Sequence, residues 1–388
     1  MYILIYRILF QPFSSFFDTI FFMSDVFFIP FDPASGTAGL SQAAVRLLQT
    51  LLERSGSGLP DDVPLKVHFG EKGNRTYLKP EIYDGIIDFI QSQGRACHFT
   101  ETSVLYGGER FSREKHLALA QKHGFTRIPA VIADGAHGEE SVSVPVNLKH
   151  FRSASIAKAL AEADRVVVLS HFKGHGLAGF GGAIKQLSMG FAAKGGKMAM
   201  HLNVKPRIRN WKCKRCKLCL TRCNEGAITI GERSSIDHDK CIGCGACFSI
   251  CPHHAVSILS FAGLRHALFG GRLFREKLVE YAYASHHGKH HLYITFAVNV
   301  TRGCDCEPRP MTTCVHDIGV FASLDPVAID AACWDAAAKA GKKFKGAEQL
   351  AYAEKDRPRH AQLPPHPARL IPTSRKIMIS FTPLVFCA

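Results

Sequence analysis

The sequence predicts an α/β fold in which helices flank a mostly parallel sheet, and a small cysteine-rich module interrupts that fold. Short apolar segments alternate with segments of helical periodicity along most of the chain, which is typical of βαβ units. This alternation stops between residues 205 and 259. Eight of the 14 cysteines lie there, between Cys213 and Cys251.

The individual elements follow from apolar patterning and end signals. Apolar runs predict strands over 25–29, 64–69, 95–100, 129–133, 165–170 and 291–298. Helical spacing predicts helices over 40–54, 80–92, 112–123, 153–163, 182–193, 262–285 and 326–340. Asp325 before Pro326 is an N-cap followed by proline at the first helical position, so a helix should begin there.

The two ends of the chain differ in character from the rest. Residues 1–22 are apolar, but Arg7, Pro12 and Asp18 interrupt them, whereas a membrane span needs ~20 mostly apolar residues. We therefore predict a non-native extension over 1–22 and no membrane association. The remaining boundaries follow from composition: an α/β domain over 23–204 and 260–353, the module over 205–259, and an irregular tail over 354–388.

The charge is unevenly distributed. The formal net charge is +15, and the stretch 165–224 contains 13 Lys and Arg but no Asp or Glu. Few aromatic residues are placed there to stack on bases, so we expect no nucleic-acid binding. Acidic partners explain the positive charge better: a redox partner protein or a small anionic substrate. Clustered cysteines indicate metal rather than a secreted disulfide scaffold, so we expect a cytoplasmic protein.

The cysteine module contains the same spacing twice. The pattern C-x2-C-x2-C-x3-C occurs at 213–223 and again at 241–251. In such a run three cysteines hold one cluster and the fourth reaches the other. The spacing thus predicts two 4Fe-4S clusters, one held by Cys213, Cys216, Cys219 and Cys251, and one held by Cys241, Cys244, Cys247 and Cys223. Zinc is the less favoured alternative, because structural zinc sites pair two C-x2-C units across a longer spacer.

The module resembles a bacterial two-cluster ferredoxin domain over about 213–259. CNEGAITI follows the first cysteine run and CPHHAVSI follows the second. Two positions depart from the ferredoxin pattern: Asn224 replaces a usual proline, and Lys217 stands where glycine often follows the second cysteine. The resemblance implies a ferredoxin-like α+β module that carries electrons.

A glycine-rich stretch contains the candidate catalytic site. Gly174, Gly176 and Gly179 match G-x-G-x-x-G, but no acidic residue follows at the distance that a dinucleotide site requires. We interpret these glycines and Gly182 as a possible anion-binding loop that leads into a helix. The candidate catalytic residues are His171, Lys173, His175, Lys185 and Asp305. The alternative is that the glycines only allow close packing.

A second cysteine group occurs at 302–316. Cys304, Cys306, Cys314 and His316 could hold a third metal ion, but C-x-C chelates one tetrahedral ion poorly, which favours turn residues with free thiols. The segments HFKGHGLAGFGGAIKQLSMGFAAKGGK and DIGVFASLDPVAIDAACWD, together with the module and the CDC run, resemble the iron–sulfur family filed as domain of unknown function 362 over about 24–353. This resemblance implies an α/β domain with an inserted ferredoxin and supplies no reaction.

Two functions remain open from the sequence. The first is a redox enzyme whose clusters exchange electrons with an anion-binding site in the α/β domain. The second is a ferredoxin-like carrier or cluster-binding accessory protein without its own chemistry. A pure carrier needs only the 213–259 module, so the large glycine-rich domain favours the enzyme.

Overall fold

A nine-stranded sheet forms the centre of the computed structural model, which describes residues 3–10, 22–201, 206–223, 225–241, 243–257, 271–355 and 380–381. In chain order its strands are β1 (Leu4–Phe10), β2 (Phe22–Pro30), β3 (Asp62–Lys66), β4 (Ala96–Glu101), β5 (Ala130–Ile132), β8 (Val167–His171), β15 (Leu292–Ala297), β16 (Gly319–Ser323) and β17 (Ser380–Phe381). Their spatial order is β17-β1-β2-β16-β15-β8-β3-β4-β5.

Five neighbouring strands of this sheet run in parallel. They are β15, β8, β3, β4 and β5. The other half is antiparallel, because β16 pairs with both β15 and β2, and β1 joins β2 to β17. The predicted α/β class is therefore confirmed. The carboxyl ends of the five parallel strands meet at one edge, where ligands bind in open α/β sheets.

Helices cover both faces of the sheet. They are α1 (Gly36–Ser55), α2 (Asp84–Ser92), α3 (Arg113–Lys122), α4 (Lys158–Glu162), α5 (Ala183–Ser188), α6 (Lys194–His201), α7 (Ala246–Ile250), α8 (Gly271–His286), α9 (Pro326–Lys339) and α10 (Ala347–Lys355), with 3-10 turns at Pro80–Tyr83 and Leu220–Arg222. Successive strand residues face opposite sides, so Val168 enters one core with α5, α8 and α9, whereas Val167 and Leu169 enter the other with α1 and α2.

Short strand pairs complete the chain. Two lie in the α/β domain: β6 (Ser141–Pro145) with β7 (Ser153–Ala157), and β9 (Lys173–His175) with β10 (Gly179–Gly181). Two lie in the cysteine module: β11 (Arg207–Ile208) with β14 (Val256–Ser257), and β12 (Ile228–Thr229) with β13 (Ser235–Ile236). Among the described residues of the module, the buried hydrophobic residues are Ala227, Ile228, Cys247, Ala255 and Val256.

Several predicted elements differ from the structure. The helix expected over 153–163 begins as strand β7, because Ser153–Ala157 pairs with β6 along its length. The helix expected over 182–193 ends at Ser188, two residues before Gly190. Part of the predicted extension forms β1, which pairs with β2 from Leu4 to Phe10. Residues 258–270, where the helix over 262–285 was expected to begin, lie outside the described part of the chain.

Candidate functional site

The loop after β15 covers the carboxyl ends of the neighbouring parallel strands. The backbone carbonyl of Asp305 accepts from the N–H of Glu71, in the segment after β3, at 3.0 Å. The carbonyl of Thr301 accepts from the N–H of Gly174, just after β8, at 2.8 Å. These contacts bring the CDC run to the strand edge that carries His171 and Lys173.

Asp305 is the centre of a buried ionic group. Its Oδ2 lies 2.9 Å from His171 Nδ1 and also accepts from the ammonium of Lys173. The other His171 nitrogen, Nε2, is 2.7 Å from the carbonyl of Val298. Burial raises the pKa of Asp305, but the positive charges of His171 and Lys173 outweigh burial and hold this pKa well below its usual range. Asp305 Oδ1 is buried without a hydrogen-bond partner among the described residues.

Cys304, beside Asp305, is a buried thiol surrounded by donors. Lys185 Nζ donates to its sulfur at 3.3 Å, and the backbone N–H of Cys306 donates at 3.4 Å. A hydrogen bond from the Cys306 thiol lowers the pKa of Cys304; burial opposes this effect, and Lys185 and His175 lower the pKa further. The net effect holds the pKa of Cys304 well below its usual value, so its surroundings favour the thiolate form.

The structure brings together a different cysteine group from the one expected. Ligand atoms of His175, Cys304 and Cys306 lie within 4.8 Å of one another, whereas Cys314 and His316 are not part of this group. A shared metal ion fits these distances but not the hydrogen bonds. His175 Nδ1 accepts from the N–H of Ala178 at 3.0 Å, so in the neutral ring Nε2 keeps the proton. The adjacent Lys185 ammonium also disfavours a cation.

A second buried ionic group was not predicted from the sequence. Lys66, at the end of β3, donates to Glu101 Oε1 at 2.5 Å, and Arg110 donates to Glu101 Oε2. The ordinary effect of burial is to raise the pKa of Glu101, but Lys66 and Arg110 hold this pKa well below its usual range. Arg110 Nη1 has no hydrogen-bond partner among the described residues. The one sequence signal was a lysine inside the apolar run PLKVHF.

Lys197 on α6 extends this polar region. Its ammonium donates to Thr102 Oγ1 at 2.7 Å and to the carbonyl of Ala192 at 2.8 Å. Burial lowers the pKa of Lys197 to about 8, although Asp134 and Glu101 oppose the shift. The same strand edge therefore carries two adjoining ionic groups, one around Asp305 and one around Glu101.

Three of the four candidate loop glycines are in close contact with other parts of the protein. A Cβ on Gly174 would lie 2.3 Å from the carbonyl oxygen of Arg302, and one on Gly179 would lie 2.1 Å from that of Lys345. Nothing lies within 4 Å of the equivalent position on Gly176. Packing therefore accounts for Gly174 and Gly179 without a bound anion.

The start of α5 is capped by a side chain of the protein itself. Asp330 on α9 accepts from the N–H of Ala183 at 2.6 Å and of Ile184 at 3.0 Å. A Cβ on Gly182 would lie 2.2 Å from Asp330 Oδ1. The position at which an anion was predicted to bind therefore holds a carboxylate. Burial raises the pKa of Asp330 to about 7.

In the module, cysteines of the two runs lie near one another. Cys213, Cys216, Cys219 and Cys251 line one cavity. Cys223 lies close enough to Cys244 and Cys247 to raise the pKa of both thiols, after the larger effect of burial. All of these thiols are free.

The two cysteine runs share an unusual backbone. Gly243 and Gly245 have φ of 78° and 73°, and the equivalent Arg215 and Lys217 have 57° and 63°. Non-glycine residues rarely adopt this left-handed region, so the first run keeps the same loop at a cost in strain. The N–H groups of Ala227 and Ala255 each donate to the sulfur of the fourth cysteine of a run at 3.3 Å. The two halves of the module are therefore structural equivalents.

The module contacts the α/β domain through its second cysteine run. A Cβ on Gly195, in the first turn of α6, would lie 3.0 Å from Cys244 Cβ. Glu225 Oε2 accepts from the hydroxyls of Ser143 and Ser153, both at 3.2 Å. The second run is thus adjacent to the helix that carries Lys197.

Fold and site together define an α/β protein with a buried, charged strand-edge site and an inserted module containing two sets of four cysteines. The chain belongs to a family described as a domain of unknown function, DUF362, whose model matches residues 63–335. No curated protein sequence matches it significantly. Within the described residues, no helix has both the length and the apolar character needed to cross a bilayer.

Two solved structures are distantly similar. One is a structural-genomics target from Thermotoga maritima, with 10% identity and a TM-score of 0.41, covering 80% of this chain and 61% of that one. The other is the lactate racemase apoprotein from Thermoanaerobacterium thermosaccharolyticum, with 13% identity and a TM-score of 0.36, covering 75% and 56%. The chain thus spans less than two thirds of either protein, and similarity at this level supports no inference about function.

Proposed function

We propose that this protein is an iron–sulfur oxidoreductase that carries two 4Fe-4S clusters and exchanges electrons with the strand-edge site. The observation that supports the proposal is that Cys213, Cys216, Cys219 and Cys251 line one cavity, while the two cysteine runs share equivalent backbone loops and free thiols. The spacing assigns Cys213, Cys216, Cys219 and Cys251 to the first cluster and Cys241, Cys244, Cys247 and Cys223 to the second.

The small core of the module supports bound metal. Among its described residues only Ala227, Ile228, Cys247, Ala255 and Val256 are buried hydrophobic residues. Other cysteines pack against Ile228, Cys247 and Val256. A unit of about 50 residues with so little apolar burial needs a metal or another crosslink for stability. Cluster binding would supply this crosslink, and N–H donors to sulfur are already in place at Cys223 and Cys251.

The position of the two cysteine sets suggests a direction for electron transfer. The second set lies against α6, next to the α/β domain, whereas the first lies beside an exposed basic surface. Trp211 on that surface is 77% exposed, and Lys212 lies over its ring. We assign this surface to an acidic redox partner protein, because charge complementarity guides transient electron-transfer encounters.

The strand-edge site favours an enzyme over a carrier. A pure carrier has no use for buried ionic groups around Asp305 and Glu101, and buried polar groups cost stability unless they are paired. A small anionic substrate remains part of the proposal. Lys173 and Lys185 already donate hydrogen bonds to internal partners. Arg110 Nη1 lies 4.0 Å from Glu71 Oε2 but makes no hydrogen bond among the described residues, so we assign it as the donor for this substrate.

Metal analysis of anaerobically purified protein tests the cluster assignment. We expect about eight irons and eight sulfides per chain. Replacing Cys251, the last cysteine of the second run, with Ser should impair the first cluster. Replacing Cys223, the last cysteine of the first run, should impair the second cluster. Cys97→Ser, far from the module in sequence, is the matched control and should leave iron content unchanged. Stoichiometric zinc without acid-labile sulfide would refute the assignment.

A further inference from the structure

We propose that Cys304 and Cys306 form a reversible dithiol–disulfide couple inside the strand-edge site. The two sulfurs lie within 4.8 Å of each other on one loop, and both thiols are free. This couple is separate from the eight module cysteines. The proposal therefore does not depend on whether the module binds iron–sulfur clusters.

The surroundings of Cys304 are those of a stabilised thiolate. The Lys185 ammonium and the Cys306 N–H both donate to its sulfur, and His175 also hydrogen-bonds to it. Reactive cysteines occupy such electropositive positions, whereas structural buried cysteines lack them. Because His175 Nδ1 accepts from the N–H of Ala178, the ring presents a donor rather than a free lone pair to the sulfurs. This arrangement stabilises a negative sulfur and opposes a metal ion.

The burial of Cys304 favours a role in a redox couple over a role as a nucleophile that attacks external substrates. Cys304 is 2% exposed, so a bulky electrophile cannot reach its sulfur. Cys306 is partly exposed and on the same loop. The Cys306 thiol, which hydrogen-bonds to Cys304, can pass its proton to that sulfur and attack an external disulfide as a thiolate. The departing external thiolate takes up this proton, and the Cys304 thiolate then attacks the Cys306 sulfur of the mixed disulfide and releases the second external thiolate.

The reaction with oxidised glutathione balances. The Cys304 thiolate, the Cys306 thiol and one glutathione disulfide give one protein disulfide, one glutathione thiol and one glutathione thiolate, so two electrons and one proton leave the protein. One sulfur–sulfur bond breaks and one forms.

Lys185 should set the equilibrium of this couple. An ammonium that stabilises the thiolate stabilises the reduced form, which makes the disulfide a stronger oxidant. Lys185→Met keeps the apolar stem and removes the charge. We expect this variant to shift the equilibrium with glutathione at least tenfold towards the disulfide, about 30 mV for two electrons. Lys185→Arg should stay close to wild type.

The experiment is anaerobic equilibration of the full-length, cluster-containing protein in glutathione buffers of increasing oxidised fraction. Alkylation and tandem mass spectrometry then locate the disulfide, while visible absorbance follows the clusters separately. We expect a 304–306 disulfide in wild type and in the control Cys314→Ser, and none in Cys306→Ser. Three results would overturn the inference: both thiols reduced in every buffer, a stoichiometric metal ion bound to them, or no shift in Lys185→Met. Loss of visible absorbance with an intact couple would instead count against the clusters.

Discussion

Asp330→Asn should remove a strong pH dependence of stability. The Asp330 carboxyl is fully buried, and burial raises its pKa from 3.8 to about 7. Because the folded-state pKa lies above the unfolded one, the native state holds the proton more tightly. The associated stability is complete below about pH 4 and is lost as the pH rises to about 7. Between pH 5.5 and 8 the loss amounts to about 2 kcal/mol.

Asparagine resembles the protonated carboxyl in shape and keeps one acceptor for the N–H groups at the start of α5. As the pH rises from 5.5 to 8, the free energy of unfolding of the variant should therefore increase by about 2 kcal/mol relative to that of wild type. The assay is anaerobic urea unfolding followed by the fluorescence of Trp334, which lies on the same helix as Asp330. Both proteins carry Trp211→Phe, so that Trp334 is the only signal. If the two proteins change stability in parallel across this range, the buried, protonated carboxyl is refuted.

Three further predictions concern the other buried charges. Glu101→Gln leaves Lys66 and Arg110 without their carboxylate and should cost about 3–5 kcal/mol in urea unfolding at pH 7; a loss below about 1 kcal/mol would contradict the buried pairing. Asp305→Asn should cost a similar amount at pH 7. The difference in free energy of unfolding between wild type and this variant should shrink as the pH falls below about 4, because Asp305 stabilises the fold only while its carboxylate is ionised. A difference that stays constant with pH would contradict this. Between pH 8 and 10.5 the free energy of unfolding of wild type should rise by about 3 kcal/mol relative to that of Lys197→Met, because in this range the lysine keeps its proton only in the unfolded chain. If both proteins changed stability in parallel over this range, the prediction would be wrong.

The fold class was predictable because it rests on local pattern. Apolar runs and helical periodicity can each be recognised within a short segment of sequence. The Asp325–Pro326 pair likewise predicts the residue at which α9 begins. The two cysteine runs are equally local. The failed predictions concern segments whose structure depends on partners outside the segment itself. Ser153–Ala157 is a strand because β6 pairs with it. No property of that segment alone distinguishes it from a helix.

Half of the site could be predicted in the same way. His171, Lys173 and Asp305 were candidates, and the structure joins them in one buried group. The group around Glu101 could not be predicted from the sequence. Lys66 and Glu101 are 35 positions apart in the sequence, and they meet only because of the register in which β3 pairs with β4. The CDC run was expected to contain ordinary free thiols, since its spacing gives no sign of Lys185.

The glycine-rich stretch shows why a motif does not identify a ligand. Glycine is required wherever backbone approaches backbone, whether the approaching group is a phosphate or a carbonyl. At Gly174 and Gly179 the approaching group is a carbonyl of this chain, and at Gly182 it is the carboxylate of Asp330. These contacts fix the loop rigidly over the strand edge. In this arrangement Lys185, on the short helix that follows, points at Cys304. The glycines thus serve the site by positioning Lys185 beside Cys304, rather than by binding an anion themselves.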